Sequence, residues 1–268
     1  MNSPKKGYSN GPDGQLHWRL YNAQSQTRSP MLLCLHPAPF SGLAFQNIAP
    51  HLAKRRQVLA PDYPGYGGSD PCAGTPSIDK YAIAMASLLN EFETAGKVDL
   101  LGFHTGCLVA AEMARQNPQS IGKLCLIDAP AFPADQSAEM AKKFGAPMAL
   151  SGDINCLEAP WNMGFKSRLE TQDKDQAIRL FAEEIRAGRE INAAFFAAFT
   201  YPWIERMPDV STPTMVLATQ SSLLDGSRVL ANTIPGAELL ERLDVTKSVL
   251  DQSAETIAHD IIAYLDRA

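Results

Sequence analysis

The sequence predicts an α/β domain: a mostly parallel sheet flanked by helices, with a helical lid inserted late in the chain. Three observations carry this expectation. Short apolar runs recur as "MLLCLH" (31–36), "QVLAPD" (57–62), "VDLLGF" (98–103) and "KLCLID" (123–128), and a strand that is apolar on both faces belongs in a sheet covered on both sides. Helical patterns separate these runs, which is the rhythm of parallel strands joined by crossovers. Residues 131–211 then break the rhythm with helical segments and no convincing strand.

Taken in order, residues 1–13 read as an N-terminal tail and "LHWRLY" (16–21) alternates well enough for a first strand. After the run at 31–36, "FQNIAPHLAKRR" (45–56) carries apolar residues at helical spacing. The run at 57–62 leads into the turn-rich "YPGYGGSDPCAGTP" (63–76). "SIDKYAIAMASLLNEFETAG" (77–96) predicts a long amphipathic helix stopped by Gly96. Strand, helix and strand follow without a break to 128, so that 14–130 and 212–268 form the core. The lid, 131–211, holds "DKDQAIRLFAEEIRAG" (173–188), "EINAAFFAAF" (190–199) and "YPWIERM" (201–207). The core resumes with "TMVLAT" (214–219), "SRVLANTI" (227–234) and "AELLERL" (237–243), and "SAETIAHDIIAYLDRA" (253–268) closes it as a helix.

Composition narrows the function classes. A chain of 268 residues, 45% hydrophobic and 20% charged, buries a substantial core without disulfides or metals. The net charge of −5 disfavours nucleic acid or an anionic membrane as partner, and "KRR" (54–56) reads as a solvated helix end. Five scattered cysteines without a CxxC pair read as reduced thiols, three of them small hydrophobes within apolar runs. With no apolar stretch near the start and no 18-residue apolar segment, a reducing cytoplasm is the expected home. The oligomeric state is left open.

"LLGFHTGCLVAAEMA" (100–114) carries the chemistry. An apolar strand, a short turn flanked by Gly102 and Gly106, and an alanine-rich helix hold the central residue exposed at a sharp bend. The flanking glycines let strand and helix approach one another. That central residue is His104.

On these residues the chain resembles the α/β-hydrolase superfamily, in particular its lidded branch, over roughly residues 14–266. "LHPAPFSG" (35–42) is similar to the family's oxyanion segment, "APDYPGYGGSD" (60–70) to its D-x-P-G-x-G-x-S turn, and "LLGFHTG" to the nucleophile elbow. The resemblance implies an α/β-hydrolase fold with a lid and a catalytic Ser–His–Asp arrangement, and this chain departs from the latter at all three positions. His104 replaces the nucleophile. Ser222, with Asp225 three residues on, stands in the region of the usual acid. Lys247 aligns best with the family histidine. Asp128 occupies an alternative acid position used by some members. The resemblance further implies oxyanion donors at the N–H groups of Ala38 and Thr105, which Pro37 and Pro39 leave intact, and a structural role for His36.

The positive end of the helix beginning at Thr105 disfavours imidazolium at His104, and a charged Lys247 nearby acts in the same direction. An Asp128 partner acts oppositely. A neutral His104 suits a general base or a nucleophile. His17 is expected at a sheet edge, and His51 and His259 in solvent. Phe40, Phe103 and Trp161 are the aromatics expected to face a cavity. Two functions follow. One is an enzyme of non-standard mechanism, acting on a small carbonyl-containing molecule by hydrolysis, C–C cleavage or proton transfer. The other is a silent pseudo-hydrolase that binds a ligand or a protein partner. Neither calls for a metal or other cofactor.

Overall fold

The structure, a computed structural model, describes residues 3–23, 29–92 and 96–267. Among the described residues eight strands form one sheet: β1 Lys5–Asn10, β2 Gln15–Tyr21, β3 Leu32–Leu35, β4 Val58–Pro61, β5 Val98–Phe103, β6 Ile121–Ile127, β7 Thr214–Thr219 and β8 Glu238–Arg242. Their spatial order is β1-β2-β4-β3-β5-β6-β7-β8. The β1–β2 and β2–β4 pairs are antiparallel and every later pair is parallel. The chain is therefore an α/β-hydrolase fold with a mostly parallel sheet.

The apolar runs are apolar throughout because both faces of the central strands are covered. Leu33, Leu35, Leu100, Leu124 and Val216 pack on one side with the helices Ile78–Ser87 and Thr105–Gln116. Leu32, Cys34, Leu101, Cys125, Ile127 and Leu217 pack on the other with the closing helix Ala254–Leu265. Cys34, Cys107 and Cys125 are buried free thiols within these layers.

Within the stretch expected as a tail, Lys5–Asn10 form a strand. Lys5–Asn10 pair along β2 as the sheet's edge, and only Ser9 of that strand is buried. A polar edge strand lacks the apolar periodicity that marks a strand in sequence. Gly7 lies so close to Trp18 that a Cβ would sit 2.4 Å from the indole, and Trp18 Nε1 donates to Ser9 Oγ at 2.8 Å. His17, covered by β1, is consequently buried rather than at an edge. Its Nδ1 lies 2.7 Å from Asp62 Oδ2, within a hub where Asp62 also accepts from Arg19, Gly42 N–H and Gly68 N–H.

Two helices are shorter than their patterns. Over 45–56 only Ala49–Leu52 is α-helical, entered through Pro50 and preceded by a 3-10 turn at Gly42–Phe45. The helix expected over 77–96 starts at its Ser77 cap, runs Ile78–Ser87 and tightens into a 3-10 turn at Leu88–Asn90. Residues 93–95 lie outside the described ones. Between β6 and β7 the chain is helical, with Ala134–Phe144, Lys174–Arg186 and Ala193–Phe199 as the longer elements and no strand. This inserted region is tied to the core by Ala194 N–H donating to Tyr66 Oη at 2.8 Å and Tyr201 Oη donating to Glu112 at 2.7 Å.

Candidate active site

His104 joins β5 to the helix Thr105–Gln116 with φ 50° and ψ −119°, a backbone state that a residue with a side chain rarely adopts. The bend is enforced from both sides. A Cβ on Gly106 would lie 1.9 Å from the carbonyl oxygen of Leu35, and one on Gly102 would lie 2.5 Å from that of Gly106. His104 N–H donates to Ile127 O at 3.0 Å, and Cys107 N–H donates to His104 O at 2.8 Å, so the elbow is fastened to β6 and to its own helix.

The imidazole lines a cavity of about 240 Å³, together with Pro37, Phe40, Phe103, Asp128, Arg168 and Thr219 among others. Asp128 follows β6, is fully buried, and also holds a positive φ of 49°. Thr219, the last residue of β7, donates to both of its carboxylate oxygens: N–H to Oδ1 at 2.8 Å and Oγ1 to Oδ2 at 2.7 Å. Among the described residues, neither His104 ring nitrogen has a hydrogen-bond partner. Burial holds the His104 pKa down to about 4; Asp128 opposes this and Arg168 adds to it. The imidazole is thus neutral at pH 7, and the cation acting on it is Arg168, a residue of the inserted helical region.

The other expected residues separate into groups. Phe40 and Phe103 line the cavity, and the Phe103 ring lies 4.0 Å from that of His104. His36 is fully buried, its Nδ1–H donating to Pro37 O and its Nε2 accepting from Tyr63 N–H, both at 3.0 Å, with its pKa held near 4 by burial. Both ring nitrogens are spent on backbone, so His36 shapes the segment that carries Ala38. Ala38 and Thr105 are buried, and no described residue accepts from their N–H groups. Lys247 sits at the cavity mouth, paired with Glu170 while both side chains stay more than half exposed. Ser222 is exposed and outside the cavity lining, whereas Ser221 contributes to it. Asp225 pairs with Arg228 on the surface. Trp161, 41% exposed, packs tilted against Phe165 and edge-on to Phe181, and it borders a different depression with Ile154 and Leu157. His259 is exposed, while His51 is half-buried with an enclosed, unpartnered Nδ1 among the described residues.

Sequence reasoning passed over three residues. Arg168 lies in a stretch with no periodic pattern, so nothing local pointed to it. Thr219 was in view as the end of "TMVLAT", where the family acid stands, yet its role as the donor to Asp128 depends on pairing across β6 and β7. Asp251 accepts from Asn47 at 3.0 Å and from Gln176 at 2.5 Å, and it also takes a hydrogen bond from Gln172. It thereby clasps the inserted helices to the core from the loop that carries Lys247.

Comparison with known proteins agrees with this architecture. Residues 32–258 match the alpha/beta hydrolase family, and the chain belongs to it. A hydrolase from Pseudomonas aeruginosa superposes with a TM-score of 0.79 over 99% of this chain and 100% of its own, at 20% identity. An enol-lactonase from Burkholderia xenovorans gives 0.80 over 97% and 100%, at 17% identity. In sequence, an uncharacterised protein of Mycobacterium bovis is 32% identical over 100 residues, 37% of this chain and only 29% of that protein. The pimeloyl-[acyl-carrier protein] methyl ester esterase of Aeromonas hydrophila is 33% identical over 133 residues, 47% of this chain and 50% of the esterase.

Proposed function

We propose that the protein is an enzyme that hydrolyses a small ester or lactone, with His104 as general base in place of a serine nucleophile. The observation that carries this is the imidazole itself: held at the elbow, neutral at pH 7, free of hydrogen bonds to described residues, and facing a cavity beside a buried carboxylate. The unprotonated ring nitrogen takes a proton from water as the water oxygen attacks the carbonyl carbon. The N–H groups of Ala38 and Thr105 receive the developing oxyanion. Collapse expels the alkoxide, which recovers the proton from the imidazolium, and Asp128 stabilises that imidazolium while it lasts. Lys247, paired with Glu170 at the mouth, contributes to substrate entry rather than to proton transfer.

The reading is supported by the family and by the likeness to an esterase and an enol-lactonase. One observation favours a silent binding protein instead: Thr219 occupies both Asp128 oxygens, so no triad-like hydrogen bond orients His104. The test is a panel of small esters and lactones followed by mass spectrometry, before and after treatment with a fluorophosphonate. Turnover that survives the serine-directed reagent supports the base mechanism. Turnover abolished with stoichiometric labelling of Ser221 or Ser222 contradicts it.

A further inference from the structure

We propose that Arg168 is the anchor for a carboxylate group, so that the cavity selects small carbonyl compounds carrying a single negative charge. This rests on the reading of the His104 cavity as the substrate site, and it specifies what that site takes. The Arg168 guanidinium lies over the Phe40 ring, 4.4 Å from its centroid, a contact that helps to hold it in place. Its edge is left open. Among the described residues no carboxylate lies within ion-pair distance and no group accepts a hydrogen bond from it, and its Nε is enclosed without a partner. A largely buried guanidinium without an acceptor is costly, and a planar carboxylate satisfies its fork with two parallel hydrogen bonds.

The nearby acids do not serve as that partner. Asp128 is taken up by Thr219, and Asp251 by Asn47, Gln172 and Gln176. Glu184 acts on Arg168 from further away, and burial pushes its pKa up to about 7. Two carboxylates on the cavity wall and a Lys247 already paired with Glu170 also argue against a dianion such as phosphate, which would need more than one cation. A carboxylate seated on Arg168 has a further consequence. It offsets the cation that helps to depress His104, against the opposing pull of Asp128, and makes the imidazole a better base once substrate is bound.

The test is binding rather than turnover, so it is independent of whether His104 does chemistry. Short keto and hydroxy carboxylates, levulinate among them, are each paired with their neutral amide, and inorganic phosphate is included. They are titrated by ligand-observed NMR against the native protein, His104→Ala, Arg168→Lys and Arg168→Gln, with circular dichroism confirming that each variant is folded. Native protein and His104→Ala should both prefer at least one acid over its amide by about tenfold or more. Arg168→Lys should retain part of that preference, and Arg168→Gln should lose it. The proposal is overturned if no acid binds, if amides bind equally well, if phosphate binds as tightly as the best acid, or if Arg168→Gln keeps the preference. Carboxylate preference without turnover in native protein would leave this assignment standing and overturn only the hydrolytic one.

Discussion

His104 pays for its position in backbone strain, and that strain can be measured. At φ 50° any residue with a Cβ is disfavoured, whereas glycine is not. His104→Ala and His104→Gly both remove the imidazole and differ mainly at the backbone. Urea unfolding should therefore find the glycine variant about 1 kcal/mol more stable than the alanine variant; equal stabilities would mean that the elbow is unstrained. The same side chain sets a pH dependence. With a folded pKa near 4 against 6.5 unfolded, His104 and His36 are both protonated first in the unfolded chain. Their contribution to stability is complete above about pH 6.5 and is lost as the pH falls towards 4. His104→Ala lacks its share of that loss, so its urea midpoint should fall less than the native one between neutral pH and about pH 4.5. At this scale the sequence exposed His104, since its place between two glycines is local information. It concealed Arg168, whose significance comes from the Phe40 ring beneath it and from the engagement of Asp128 and Asp251 by other residues.

The elements were legible where one period dominates. Each central strand reads as a continuous apolar run because it is buried on two faces, and the elbow reads from the glycines that let β5 and its helix touch. Gly106→Ala should therefore cost about 3 kcal/mol or more, because the new Cβ would meet the Leu35 carbonyl, a backbone atom with no room to yield. A loss below that in urea unfolding would show that the helix can shift. The edge strand β1 was illegible because its residues are polar and its pairing is supplied by β2. The clasp at Asp251 was illegible for a related reason, since its partners Asn47, Gln172 and Gln176 lie in distant parts of the chain. Asp251→Ala should loosen the inserted helices without unfolding the core. Hydrogen exchange should rise through Lys174–Arg186 and remain slow in β5 and β6; uniform protection would argue that the clasp contributes nothing.

Across the whole molecule, the parallel sheet and the inserted helical region could be anticipated because strand runs and strand-free stretches are long-range regularities of composition. The reaction could not, since three separated departures from a familiar triad leave both an altered enzyme and a silent binder open. The structure brings His104, Asp128 and Arg168 to one cavity and leaves Ser222 outside its lining. The central claim is that the imidazole at the elbow performs proton transfer. Its most direct test is single-turnover hydrolysis of the best ester or lactone from the panel, with native protein and His104→Ala compared at saturating substrate. The account predicts that the alanine variant stays folded and still binds substrate, while its rate falls by about 10²-fold or more. Equal rates in the two proteins would contradict it.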